Sequence, residues 1–151
     1  MSISISKLNI EDYHKCANIW HMHKHKEMAD KFYKEIISGN RVSYIYSIDG
    51  EFVAEISLLY KTDDADYTIP QKRAYVSRLV VKKSLRHQGI GRELVNFIKT
   101  KAKEEGFSEL SIGVDLDNYP ALKLYASSGF DRIICVDQDA DGKFVKLLCT
   151  L

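Results

Sequence analysis

Two glycines one residue apart, in Arg86-His87-Gln88-Gly89-Ile90-Gly91-Arg92, follow the apolar run Leu79-Val80-Val81 and open a strongly helical segment. The first N–H groups of a helix have no intrahelical acceptor, and the helix dipole adds partial positive charge there. Glycines leave those N–H groups uncovered, so the stretch can cradle a phosphate or pyrophosphate. Two common phosphate loops do not fit. A Walker loop needs Gly-Lys-Ser/Thr, and here Gly91 is followed by Arg92-Glu93. A dinucleotide fold needs Gly or Ala three residues after its second glycine, where this chain has Leu94. On these residues alone a plain tight turn before a helix is the competing explanation.

Other side chains with chemical potential are scattered. Tyr125 carries a phenol, neutral at pH 7 with a reference pKa of about 10. Glu55 and Asp115 are carboxylates in or beside predicted strands, and each also suits a solvated surface. His21 and His25 stand one helical turn apart, with no acid or cysteine at matching spacing, so a polar helix end explains them better than a metal site. Asp63, Asp64 and Asp66 form an acidic stretch that suits a solvated loop or an attractor for a polycation. Cys16, Cys135 and Cys149 lie far apart and are odd in number. They read as buried thiols of a reducing compartment, not as a disulfide frame, zinc site or nucleophile.

The elements that must position these groups follow from periodicity. Ile3 and Ile5 alternate with polar residues in a short strand. Asn9, with Asp12 three residues on, can cap a helix in which Ile10, Tyr13, Ala17 and Trp20 recur. Met28-Ala29, Phe32-Tyr33 and Ile36-Ile37 mark a clearer helix that ends at Gly39-Asn40. Asp49-Gly50 between Val42–Ile48 and Glu51–Tyr60 signals a hairpin. With a two-residue turn, Tyr44 faces Glu55, and Tyr44, Tyr46, Glu55 and Ser57 share one face. A polar loop, residues 61–72, precedes a strand over Ala74–Val81. The helix from Gly89 to Glu105 has an inner stripe of Ile90, Leu94, Phe97-Ile98 and Lys101-Ala102. A strand over Leu110–Val114 completes a parallel, right-handed βαβ unit. Pro120 starts a last helix that Gly129 closes, and two strands end the chain. The expectation is one α/β (α+β) domain over residues 1–151, with a mixed, mostly antiparallel sheet, a central parallel βαβ unit and helices on both faces.

About thirty residues after the glycine loop comes Asn118-x-x-Ala121-x-x-Leu124-Tyr125-x-x-x-Gly129-Phe130. With Arg86-x-x-Gly89-x-Gly91 in register before it, the chain resembles the GNAT family of N-acetyltransferases. The resemblance implies acetyl-CoA as co-substrate, with no metal, and an amine acceptor. It implies a cofactor loop headed by Arg86, in which backbone amides of His87, Gln88, Gly89, Ile90, Gly91 and Arg92 hold the pyrophosphate. Backbone groups of the run Leu79, Val80 and Val81 would pair with the pantetheine arm. Asn118 would bond to pantetheine, Ala121 would leave room for it, and Tyr125 would protonate the departing thiolate. Many relatives carry a carboxylate base on the fourth strand, where this chain has Tyr75 and Ser77. Glu55 is the first substitute and Asp115 the second, with a water chain ending on backbone or tyrosine oxygens as the third. Many relatives also have Lys or Arg at the position of Ser127, and Lys82, Lys83, Arg86, Arg92 and Lys123 are the candidates to supply that charge here. The first two helices would border the acceptor, bringing Trp20, His23 and Tyr33 toward it. Without a nucleophilic cysteine, transfer would be direct. The acceptor implied first is a small-molecule primary amine; the alternatives are a protein or peptide amine, or a non-catalytic acyl-CoA-binding module.

The totals set outer limits. The 151 residues are 45% hydrophobic and 28% charged, enough for one core. With 22 basic and 21 acidic residues, the net charge of +1 argues against broad nucleic-acid binding. No apolar run reaches membrane-spanning length, and the start lacks signal-peptide character. The expected setting is the cytoplasm, with no membrane partner and a homodimer as one compatible state.

Overall fold

The structure, a computed structural model, describes residues 1–151. Seven strands form one mixed sheet in the order β1-β2-β3-β4-β5-β7-β6. They are β1 (Ile3–Lys7), β2 (Arg41–Ile48), β3 (Glu51–Leu59), β4 (Arg73–Val81), β5 (Glu109–Asp115), β6 (Arg132–Asp139) and β7 (Gly142–Thr150). The single parallel pair is β4 with β5, from Arg73↔Glu109 to Tyr75↔Ser111. Helices α1 (Lys26–Ser38), α2 (Ile90–Glu104) and α3 (Tyr119–Ser127) accompany the sheet, so the expected mixed α+β sheet with its βαβ unit is present. No helix is long and apolar enough to cross a membrane. The chain divides into two compact units, Met1–Leu58 with Arg78–Leu94, and Leu59–Ser77 with Val95–Leu151.

In the first unit, the turn at Asp49-Gly50 takes φ of +53° and +81°. Positive φ at both central residues suits the twist of a two-residue hairpin, which is why this dipeptide joins β2 to β3. Helix α1 ends at Gly39 in the left-handed conformation, as expected. The segment before α1 departs from expectation. Ile10–Asn18 is a 3-10 helix rather than an α-helix. Side chains then eclipse every three residues. Tyr13, Cys16 and Ile19 turn inward while Ala17 is exposed. Asn9 does not cap with its side chain; its carbonyl accepts from Asp12 N at 2.9 Å.

The hairpin register also differs. Ser43 and Ser57 hydroxyls meet at 2.7 Å, so Ser57 lies on the Ser43 face of the sheet. Tyr44, the next residue of a regularly paired β2, points the other way. Glu55, two residues before Ser57, therefore does not share the Tyr44–Tyr46 face. A one-residue offset in pairing flips every later side chain. The two faces are covered by different helices. Ile45 packs with Leu8, Cys16 and Ile19, whereas Tyr46 meets Glu93 of α2.

In the second unit, Val95, Ile98 and Ala102 of α2 are buried. Val95 joins the expected stripe, and Phe97 sits at its edge, half-buried. Strands β5, β7 and β6 pair antiparallel, with an irregularity between Ile133 and Cys135. Cys149 is buried, while Cys135 is only partly so.

Candidate active site

The glycine loop belongs to the first unit. His87 and Gly89 have φ of +65° and +87°, and a Cβ at Gly89 would meet nothing within 4 Å. Gly89 is glycine because of its backbone angle, not for lack of space. Helix α2 begins immediately after, and Glu93 N is bonded to Gly89 O at 3.1 Å. The N–H groups of Ile90 and Gly91 precede the first intrahelical bond and so lack helical acceptors. His87, Gln88 and Gly89 are exposed. The loop can therefore offer several N–H groups to one anion at the positive end of a fifteen-residue helix.

Arg86 is held near the loop from its own side chain. Its Nε donates to Val81 O at 3.2 Å, tying the end of β4 to the loop. Lys82 is engaged elsewhere, with Nζ 3.1 Å from Glu51 and 3.3 Å from Asn18 Oδ1. Of the charges expected to compensate for Ser127, Lys83, Arg92 and Lys123 are exposed.

Glu55 lies in the same unit, in the middle of β3, and is only 4% exposed. The solvated-carboxylate explanation is thereby corrected: the side chain faces inward. Its Oε1 accepts from Arg78 Nε at 3.2 Å. Burial pushes its pKa up, and this outweighs Arg78 and Arg41, which pull it down. Trp20 Nε1 is buried without a partner at hydrogen-bond distance, yet favours the charged form of Glu55. The Arg78 guanidinium lies 4.4 Å from the Trp20 ring centroid and 5.3 Å from that of Phe32. Sequence reasoning passed over Arg78, although a charged residue inside the run Val76–Val81 was a legible signal.

In the second unit, Asn118 caps α3, its Oδ1 accepting from Ala121 N at 3.2 Å. That contact occupies the carbonyl end of the amide and turns the Asn118-x-x-Ala121 spacing into an N-cap. Ala121 is partly buried. At the other end of α3, Gly129 takes φ of +101°, and Phe130 N donates to Tyr125 O at 3.0 Å. This six-to-one bond around a left-handed glycine is a Schellman cap. The Phe130 ring packs edge-on to Tyr125 at 5.7 Å, as such caps favour. Tyr125 is 7% exposed. Burial, with a smaller push from Tyr75, holds its phenol well above the ordinary range, so it stays protonated.

Asp115, the last residue of β5, is exposed. The acidic loop is not simply solvated. Lys146, 5% exposed, places Nζ 2.8 Å from Asp64 and 3.1 Å from Asp66. Two of its three carboxylates are thus paired within the unit, which removes most of its pull on a polycation. Lys146 also sits 5.0 Å over the Tyr67 ring, and Tyr67 stacks on Tyr75 at 4.2 Å. His21 O accepts from His25 N, and His25 stands at the start of α1.

Comparison with known proteins agrees with these features. Over 104 residues the chain is 32% identical to an uncharacterized N-acetyltransferase of Lactobacillus delbrueckii subsp. lactis, covering 68% of this chain and 59% of that one. It thus spans little more than half the length of that relative. Among solved structures, PaiA N-acetyltransferase from Thermoplasma acidophilum in complex with coenzyme A superposes with a TM-score of 0.71 at 21% identity, covering 100% of both chains. Aminoglycoside 6'-acetyltransferase type Ii gives a TM-score of 0.78 at 18% identity, over 97% of this chain and 96% of that one. At these identities the structures show a shared fold. Residues 5–130 match the acetyltransferase (GNAT) family, and the chain belongs to that family.

Proposed function

We propose that the chain is an N-acetyltransferase that passes an acetyl group directly from acetyl-CoA to a primary amine, first among candidates that of a small molecule. The observation that carries this reading is the glycine loop, with His87 and Gly89 at positive φ just before the N-terminus of α2. The amides of that loop hold the pyrophosphate, and the main chain of Leu79 to Val81 runs beside the pantetheine arm. The Nδ2 group of Asn118 donates to the arm, since Oδ1 already serves Ala121 N.

The chemistry asks two things of the protein. An ammonium, with a pKa of about 10.4, must lose a proton before its nitrogen can attack the thioester carbonyl. Glu55 is the proposed acceptor, through a water, because burial makes it a stronger base than an ordinary carboxylate. Attack forms the C–N bond and a tetrahedral intermediate. When the C–S bond breaks, Tyr125 gives its proton to the sulfur, and its phenolate takes up the proton that the former amine nitrogen sheds as the amide forms. A phenol held well above its usual pKa keeps that proton until the thiolate forms. The 3-10 segment, the turn after it with Trp20 and His23, and α1 with Tyr33 border the acceptor. The free cysteines fit the cytoplasm.

The test is release of free thiol from acetyl-CoA with a panel of amines, including amino acids, polyamines, aminoglycosides and short peptides. Amine-dependent release supports transfer, and release with peptides alone assigns the acceptor to proteins. Cofactor binding with no amine-dependent release overturns the enzymatic reading in favour of a binding module.

A further inference from the structure

Arg78 has a setting that the proposed transfer does not yet explain. Its guanidinium is fixed from three sides: by the Trp20 ring at 4.4 Å, the Phe32 ring at 5.3 Å and Glu55 through Nε at 3.2 Å. Its Nη1 points at Met28 Sδ, 3.5 Å away, a weak acceptor. The side chain keeps 17% of its surface exposed, beside an exposed Met28. A guanidinium has five N–H donors in a planar fork. One serves Glu55 and one meets a thioether. Nη2 has no protein partner, so Nη1 and Nη2 together can offer the edge that grips a carboxylate with two parallel bonds.

The arrangement is preorganised. Stacking on two rings and anchoring to a buried acid remove the rotamer freedom that an exposed arginine would lose on binding an anion. The neighbouring Arg41 is already paired with Glu35 at 3.1 Å.

We infer that Arg78 determines acceptor specificity by holding a carboxylate, so that the acceptor is an amine that also carries a carboxylate, as in an amino acid. This rests on the proposed transfer, with Glu55 taking the proton of the same molecule whose carboxylate Arg78 holds.

Matched acceptors test it in the purified chain: lysine against cadaverine, ornithine against putrescine, and a dipeptide acid against its amide. The acid member of each pair should react faster, with kcat/KM higher by about 10-fold or more. Arg78→Lys keeps a cation against Glu55 but loses the fork. It should raise KM for the acids by about 10-fold more than for their decarboxylated partners, so that the acid preference collapses. Far-ultraviolet circular dichroism and the thermal midpoint check that the variant is folded. Equal turnover of acid and partner, or a preference that survives in folded Arg78→Lys, overturns the inference and leaves amine acetylation standing. Absence of thiol release with every amine overturns both.

Discussion

The phenol of Tyr67 fills the space above the α-carbon of Gly113, so that a β-carbon at that position of β5 would overlap its hydroxyl oxygen. The glycine thus serves a side chain from the loop between β3 and β4. Ser111 Oγ donates to Tyr67 O at 2.6 Å, fastening the same loop from two residues earlier in β5. Gly113→Ala should therefore cost about 1–3 kcal/mol through overpacking. In a Tyr67→Ala background the same change should cost far less, as a double-mutant cycle of urea midpoints would show.

Lys146 supplies the charged half of that fastening. Its hydrogen bonds hold the Asp64 pKa below the ordinary carboxylate range. A carboxyl group with a depressed folded pKa stabilises the fold above its unfolded pKa, and the contribution is lost as pH falls. Lys146→Met should lower stability by about 1–3 kcal/mol at neutral pH. Below about pH 5, through the unfolded carboxylate range and under it, the variant should lose stability less steeply than the wild type, because the wild type alone gives up the Lys146 bonds there. Denaturant titrations at several pH values measure both effects.

Tyr125→Phe removes the proton donor and retains the ring against Phe130. Turnover should fall by about 10²-fold while coenzyme A affinity is unchanged. Pre-steady-state thiol release and equilibrium binding separate the two. Unchanged turnover would eliminate Tyr125 as the acid.

Glu55→Gln tests the opposite proton transfer. The acid limb of the wild-type kcat/KM profile should lie above the ordinary carboxylate range, because burial raises the Glu55 pKa. Activity should rise with pH through that limb, as the carboxylate ionises. In Glu55→Gln the limb should vanish and the plateau should drop by about 10²-fold. A limb that persists in the variant would assign the base elsewhere.

Gly89→Asp joins two penalties at one atom position. The φ of +87° strains any residue with a side chain, and the carboxylate meets the anion the loop is proposed to hold. Coenzyme A binding, followed by calorimetry, should fall below detection with the thermal midpoint within a few degrees of wild type. Retained affinity would show that the loop does not carry the pyrophosphate.

The parts of the site that could be read in the sequence are local backbone devices. The glycine loop is a turn followed by a helix start, and Tyr125-x-x-x-Gly129-Phe130 is a helix stop whose bonds span five residues. Residue type and spacing determine both. The Asp49-Gly50 hairpin was legible for the same reason, but the side on which its later residues fall was not. A one-residue offset between Ser43 and Ser57 leaves no trace in composition. Nor could the partners of the buried charges be found by spacing. Glu55 and Arg78 stand 23 positions apart, Asp64 and Lys146 82. Those pairings exist only once strands have been laid beside one another. The first helical segment failed differently. Its apolar residues fit a period of 3.6 on paper, while packing chose a period of three through Cys16 and Ile19.

The parallel join of β4 to β5 rests on three residue pairs, and Arg73 and Glu109 lie 36 positions apart. Closing so long a loop costs chain entropy that a short ladder cannot offset by itself. The βαβ crossover is therefore held mostly by what its helix buries, with Val95, Ile98 and Ala102 in the second unit nearly inaccessible. A cavity at Ile98 would loosen this junction before it touched either terminal hairpin. Amide hydrogens of Ala74 and Tyr75 would then exchange faster than those of β2 or β7, marking the crossover as the first cooperative piece of the sheet to open.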